Sequence, residues 1–501
     1  MASHKGVEWM RSTTEAQRSS YVDWEANEQA TMRRAEVARR SVDRARFVAT
    51  IIAKTLEPVP SHGGEHMDRR QFGKLVAGAG ATAAAASEAT DASSQPAAMQ
   101  RMMPAAASDI LNLPAELRPI LEQVYPRFSD AEYKRRHDAL ARVMESAGVD
   151  HLLVVSAQNV GNATRWVTSW PGTTEALLVF RPGEQMTMFV EYYNHVPLAR
   201  LLARGVDVRW GEEKGVVKLG EELARRGARR LGVIGPLSGS KWKALEGKLE
   251  LTSLDGEYIK LRIDKSDEEI SWLRVGAVLS DAGMAALIAG TRPGMTEHDL
   301  GNMIERAYVG LGGAHVIHFI GTTPMQAPEV CVPRQFTSRR RIAAGDFVFC
   351  ELAAAWWDYS GQVLRGFTVE AEPTQLYRDL HATAVAAFDS ITKAIRPGVH
   401  ARELIEASAV IEKNGFTTYD DLVHGYGGGY FAPILGSKSR PAGHPPTLTL
   451  KENMCMVVQP NVITRDEKAG VQFGELVRVT RTGFESLHRT PHGLFKAGQT
   501  I

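Results

Sequence analysis

Twice in this 501-residue chain an Arg-Pro-Gly triplet stands at the mouth of a helical stretch. Arg292-Pro293-Gly294 leads into TEHDLGNMIERA, and Arg396-Pro397-Gly398 leads into ARELIEASAVIE. Each stretch is followed by a turn pair and an apolar strand. Gly345-Asp346 precedes FVFCELAAAW, and Glu452-Asn453 precedes MCMVVQP. A helix–strand order that recurs once predicts two similar halves, because two copies are too few to stack as a solenoid. Residues 263–501 therefore predict one α+β domain with an internal pseudo-twofold and a cleft between its halves. Within it, residues 345–367 (GDFVFCELAAAWWDYSGQVLRGF) predict a hairpin that turns at Trp357-Asp358. Ser266 caps a long amphipathic helix carrying Ile270, Leu273, Val278, Met284 and Leu287.

Upstream, residues 125–262 alternate strands with helices and predict a smaller α/β domain. Ser129-x-x-Glu132 reads as a capping box for a helix ending at Gly148. Strands are expected at 151–157, 175–180, 186–192 and 229–235, and helices at 195–204, 216–227 and 238–249. With 59 basic and 58 acidic residues, the net charge of +1 gives no argument for nucleic acid or a membrane surface as partner. A small-molecule substrate is the partner expected. Three cysteines, Cys331, Cys350 and Cys455, make neither a disulfide framework nor a zinc pattern and are expected as buried thiols. No run of 18 apolar residues occurs, so no membrane span is expected.

Residues 1–66 are polar and Arg-rich and read as an upstream extension, poorly ordered or helical. MDRRQFGKLVAGAG, from Met67, pairs Arg69-Arg70 with Phe72 and Lys74 before an Ala/Gly run, the pattern of a twin-arginine export signal. It implies a periplasmic or secreted protein starting at Met67. A cytoplasmic protein with a basic helix start is the alternative. An Ala/Ser-rich linker completes the segment 67–108.

The order of helix, RPG-helix, GD hairpin, second RPG-helix, His-Gly-x-Gly at His424, and the late strands of VVQP and GVQFGE resembles the pita-bread family of creatinase, aminopeptidase P and prolidase. The resemblance covers roughly 129–485 and implies a creatinase/prolidase-type N-terminal domain before a pita-bread catalytic domain. It also implies a homodimer in which the 159–170 loop, through Arg165 or Trp170, reaches a partner's cleft. Metal-dependent members hold two ions with Asp, Asp, His, Glu and Glu. Those positions fall here on Glu351, Gln362, His424, Gln459 and Gly474, with Glu475 one residue beyond. Two buried divalent ions need more negative charge than this set offers. No metal and no cofactor are therefore expected. Creatinase works without metal, yet its catalytic histidine would fall near Arg334 and its hairpin carboxylate at Leu364, so creatinase activity is not implied.

His424 is the candidate proton carrier, with Glu351 and His318 beside it as catalytic candidates. Gln362, Gln459, Tyr359, Glu475, Arg334 and His444 are candidates for substrate binding. Arg365 reads as structural, and Arg339-Arg340-Arg341 as a solvated turn. The expected activity is a metal-independent hydrolase or lyase acting on a C–N or similar bond of a small polar molecule. A non-catalytic binding protein and an atypical metal-dependent Xaa-Pro peptidase are the alternatives.

Overall fold

A computed structural model of the chain describes residues 113–157 and 163–501. The upstream extension and the twin-arginine-like stretch lie outside the described residues. The first domain is built from α1 (Arg118–Leu121), α2 (Asp130–Ala147), β1 (His151–Ser156), α3 (Ala163–Thr168), β2 (Ala176–Phe180), β3 (Met186–Val190), α4 (Val196–Leu202), β4 (Val206–Trp210), α5 (Gly215–Arg225), β5 (Arg230–Ile234), α6 (Gly239–Glu246), β6 (Glu250–Ser253) and α7 (Asp255–Ile263). Its six strands run in the order β4-β3-β2-β1-β5-β6. The fully buried strands β1 and β2 lie in the middle, between two layers of apolar core. The two edge strands were not legible in the sequence. Val206–Trp210 is a five-residue strand broken by Asp207 and Arg209, and Glu250–Ser253 is mostly polar and exposed, so neither carries a continuous apolar run.

The second domain opens on α8 (Asp267–Gly290) and α9 (Glu297–Tyr308), followed by β7 (Ala314–Pro324), β8 (Asp346–Trp356) and β9 (Tyr359–Thr368). Then come α10 (Gln375–Ala394), α11 (Ala401–Ala407), α12 (Val410–Lys413), β10 (Thr417–Thr418), β11 (Val423–Tyr426), β12 (Tyr430–Leu435), β13 (Cys455–Val458), β14 (Val462–Ile463), β15 (Gly474–Val479), β16 (Phe484–Ser486) and β17 (Phe495–Lys496). The main sheet follows the path β12-β11-β13-β15-β9-β8-β7, with β16 and β17 attached to β15 and β9. By length and composition α8 could cross a membrane, but most of it is buried in this domain's core.

The expected internal repeat is visible in backbone hydrogen bonds. Gly294 and Gly398 share a φ of +88°, the left-handed region that glycine enters without steric cost. Gly294 N donates to Ile342 O at 2.8 Å, and Gly398 N donates to Leu450 O at 2.9 Å. Thr296 and His400 then cap the two helices that follow, each in a reciprocal capping box. Ser266 does the same for α8 with Glu269. The box expected at Ser129 is only half formed. Ser129 accepts from Glu132 N, but the Glu132 carboxylate turns to Arg135 and Arg136 instead. Three charge-assisted bonds outweigh one to a backbone N–H.

The hairpin is as expected. β8 and β9 pair from Phe347↔Thr368 to Trp356↔Tyr359, and Trp357 and Asp358 both take positive φ at the turn. The three cysteines are buried and free. The arginine run is not a solvated turn throughout. Arg340 grips Asp346 with two nitrogens, at 2.7 and 2.9 Å, and so locks the turn that launches β8.

Candidate functional site: a buried acid–amide–imidazole cluster

In an antiparallel pair, residues directly opposite share a face. Ala353 lies opposite Gln362, and Glu351 opposite Leu364, so Glu351 and Gln362 emerge on one face of the hairpin. Gln459 follows the last residue of β13, and His424 stands on the neighbouring β11. All four are buried. The Gln362 amide joins two of them. Its Nε2 donates to Glu351 Oε1 at 2.8 Å and to Gln459 Oε1 at 2.9 Å. Gln459 Nε2 in turn donates to the Asp421 carbonyl at 3.3 Å.

Sequence reasoning missed the acids that complete the cluster. Asp420 and Asp421 precede β11, and Asn461 Nδ2 donates to both Asp420 oxygens at 3.1 and 3.2 Å. Asp421 Oδ2 lies 4.0 Å from His424 Nε2 and is buried without a hydrogen-bond partner among the described residues. Tyr430 stacks on His424 at 4.2 Å between ring centroids. The glycine run between them, with Gly427, Gly428 and Gly429 all at positive φ, makes the turn that brings Tyr430 back over His424. The missed signal was an Asp pair immediately upstream of an apolar strand that carries the histidine.

Crowding acids in a dry site raises their pKa values. Burial, then the charges of Asp420 and Asp421, pushes Glu351 up to about 8. Burial and Asp421 push Asp420 up to about 7. Burial lowers the pKa of His424, against the pull of the Asp421 charge. At neutral pH Glu351 is thus an acid carrying its proton, and His424 is a neutral base. His424 Nδ1–H donates to the Gly425 carbonyl at 3.3 Å, which leaves Nε2 as the basic nitrogen on the Asp421 side.

Five sequence candidates lie elsewhere. Glu475 pairs with Val363, on the face opposite Gln362. Its carboxylate is held by Arg365 at 2.6 Å, Ser486 at 2.5 Å and His492 at 3.2 Å. Strand alternation is the reason, as it would be for any residue adjacent to Gly474. Arg365 is wholly buried and also donates to four backbone carbonyls, so its role is structural as expected. Tyr359 donates to Glu269 at 2.8 Å and accepts from Arg136 at 3.1 Å, in a seam between the two domains. His318 lies opposite Leu352 on β8, one residue out of phase with Glu351, and so points to the other face of the sheet. Arg334 is exposed, its backbone N–H bonded to Ile320 O at 3.2 Å. His444 is exposed in the long loop before β13.

The loop expected to reach a partner is also tied down where it is described. Trp170 is buried in the first domain's core, and Arg165 is paired with Asp358 of its own hairpin turn. Asn159–Asn162 lie outside the described residues.

The family model for metallopeptidase family M24 matches residues 271–481. The Xaa-Pro dipeptidase of Pyrococcus furiosus is 23% identical over 365 residues, spanning 72% of this chain and 99% of that protein. An uncharacterized hydrolase/peptidase of Sinorhizobium fredii is 24% identical over 398 residues, spanning 74% and 97%. Among solved structures, an X-Pro aminopeptidase from Thermotoga maritima superposes with a TM-score of 0.63 at 18% identity, covering 72% of this chain and 99% of that one. The prolidase from Pyrococcus furiosus gives 0.59 at 21%, covering 70% and 99%. With the duplicated half-domain, the hairpin and the smaller α/β domain before them, these matches show the two-domain pita-bread fold of the X-Pro aminopeptidase and prolidase structures, with residues 271–481 similar to metallopeptidase family M24.

Proposed function

We propose that this chain is a hydrolase that cleaves a C–N bond of a small polar substrate, without a resident metal pair, at the cluster of Glu351, Asp421 and His424. The observation that carries the reading is the Gln362 amide nitrogen, which donates to both Glu351 and Gln459. A pair of divalent ions requires oxygen or imidazole donors and negative charge at these positions. Here an N–H donor stands between two of them. The fifth position is closed as well. Gly474 has a φ of +150°, and a Cβ there would lie 2.2 Å from Val458 O. The residues present do not fit the dinuclear group. The curated relatives whose names specify Xaa-Pro dipeptidases support a short amide as the bond cleaved.

In the proposed reaction His424 Nε2 takes a proton from water as the water attacks the substrate carbonyl carbon. Asp421, beside that nitrogen, stabilises the imidazolium that forms. The C–N bond then breaks, and Glu351 gives its proton to the departing nitrogen. His424 and Glu351 have their pKa values pushed in opposite directions by their surroundings, the arrangement that separates a base from an acid. Tyr430, half-exposed and stacked on the imidazole, shields it from bulk water.

A second reading follows from the unpartnered Asp421 Oδ2. A single cation, either a metal ion or a substrate ammonium, would satisfy it. Metal quantification on protein purified without chelator, together with a screen of Xaa-Pro dipeptides, tests both. Turnover that survives chelator stripping and is abolished by His424→Ala supports the first. About two equivalents of manganese, cobalt, zinc or iron would overturn it. Ligand binding that His424→Ala weakens, with no turnover of any substrate, indicates a receptor on the same fold.

A further inference from the structure

Strand β7 is an edge of the main sheet, and its pairing with β8 slips between His315 and Ile317. In a regular strand, residues three apart point to opposite faces. The slip cancels that alternation, as a bulge at a sheet edge does when it re-aims a side chain. His315 and His318 consequently face each other, with their Nδ1 atoms 3.1 Å apart. Glu305 on α9 places Oε1 3.6 Å from His315 Nδ1 and 3.7 Å from His318 Nδ1. Three donor atoms of metal-ligating type, from two different elements, thus make a nearly equilateral triangle.

The size of the triangle is informative. With those edges, its circumscribed radius is about 2.0 Å, which matches zinc–nitrogen and zinc–carboxylate bond lengths of about 2.0–2.2 Å. An ion about 2.1 Å from all three donors would lie about 0.6 Å out of their plane, against about 0.7 Å for a regular tetrahedron.

The surroundings support the same reading. His318 is only 6% exposed, and its Nε2 lies 2.8 Å from the Tyr308 hydroxyl oxygen, one turn beyond Glu305 on α9. A bond from Nε2–H to that oxygen turns the Nδ1 lone pair toward His315 and Glu305, as outer-shell partners do for ligating histidines. The trio is separate from the Glu351–His424 cluster, because His318 and Glu351 project from opposite faces of the sheet.

We infer that Glu305, His315 and His318 form a binding site for a tetrahedral first-row divalent cation such as zinc. The exposed sides of His315 and Glu305 leave its fourth position open to water. Occupied, it cross-links α9 to the edge strand. The inference does not rest on the proposed hydrolase reaction.

The test uses the full chain, stripped with chelator and dialysed. It is titrated with zinc by calorimetry, and with cobalt followed by the visible absorption of tetrahedral Co(II). One equivalent binds, the absorption appears, and zinc raises the melting temperature. His315→Ala and Glu305→Gln alter exposed side chains and leave the fold intact. Each weakens zinc by more than tenfold, exceeding the roughly tenfold loss from removing even an outer-shell partner, and each abolishes the thermal shift. Glu351→Gln leaves binding unchanged. The inference is overturned if the wild-type chain takes up no zinc at micromolar concentration, if both edge variants bind as tightly as wild type, or if Glu351→Gln rather than the edge variants removes the cobalt absorption.

Discussion

At the residue scale, the two buried glutamates of the hairpin sheet behave oppositely, and their partners explain why. Glu351 has an amide and two other acids for company, and its pKa rises to about 8. A group bound more tightly to its proton in the folded chain stabilises that chain fully below its unfolded value of about 4.5, and the stabilisation is lost as pH rises toward 8. Glu351→Gln keeps the amide bond with a neutral group. It should therefore raise stability at pH 8.5 by about 4–5 kcal/mol and by under about 1 kcal/mol at pH 5. Denaturant midpoints at the two pH values check this, and equal midpoint shifts would contradict it. Glu475 is the mirror case. Burial opposes its charge, but His492 and Arg365 outweigh burial and hold it at about 2. Its contribution is present above about 4.5 and disappears as pH falls toward 2. Glu475→Gln leaves Arg365 buried beside a neutral amide and should cost about 3 kcal/mol at pH 7, read as a lowered denaturant midpoint.

The same two residues show what could be read from sequence. Strand alternation puts Gly474 and Glu475 on opposite faces, and the sheet register agrees. Asp420 and Asp421 were not legible, because their contribution depends on a loop brought against β8 and β13 from far along the chain. His318 was assigned to the cleft because nothing in the sequence fixed which phase of β7 faces Glu351. The bulge beside it was equally invisible, since a bulge is a property of the pairing rather than of one strand.

At the element scale, α8 ties the two domains together at its first turn. Glu269 completes the capping box with Ser266 and also receives Tyr359 Oη at 2.8 Å, Trp166 Nε1 at 3.1 Å and the Arg135 and Arg136 guanidiniums at 3.2 Å. Burial disfavours its charge, yet Arg136, Arg262 and Lys265 hold it at about 2. Ser266→Ala removes one cap bond and should cost about 1 kcal/mol. Glu269→Ala strands buried cations and should cost about 3–5 kcal/mol. Comparing the two melting transitions checks the ranking, and equal losses would contradict the interdomain role. The cap was legible as a spacing of polar residues. The convergence of Arg135, Arg136, Trp166 and Tyr359 on it was not, because those partners come from 90 or more residues away.

At the scale of the whole molecule, the duplicated Arg-Pro-Gly turns and the matched turn pairs carried the fold. They mark the backbone positions that repeat between halves, and the hydrogen bonds of Gly294 and Gly398 repeat with them. Export by a twin-arginine route and a homodimeric assembly stay as proposals drawn from the sequence. Replacing Arg69-Arg70 with two lysines should shift the chain to the cytoplasmic fraction, and an unchanged distribution would contradict the export proposal.

The proposed reaction rests on a cluster in which the Gln362 amide joins Glu351 to Gln459. The most direct measurement is turnover of an Xaa-Pro dipeptide by the chelator-stripped His315→Ala chain, with metal content determined on the same sample. That substitution removes the edge cation site from consideration. Hydrolysis is expected at the rate of untreated protein, unaffected by added manganese, cobalt or zinc and abolished by His424→Ala. Loss of activity on stripping, restored by two equivalents of a divalent ion, would contradict it.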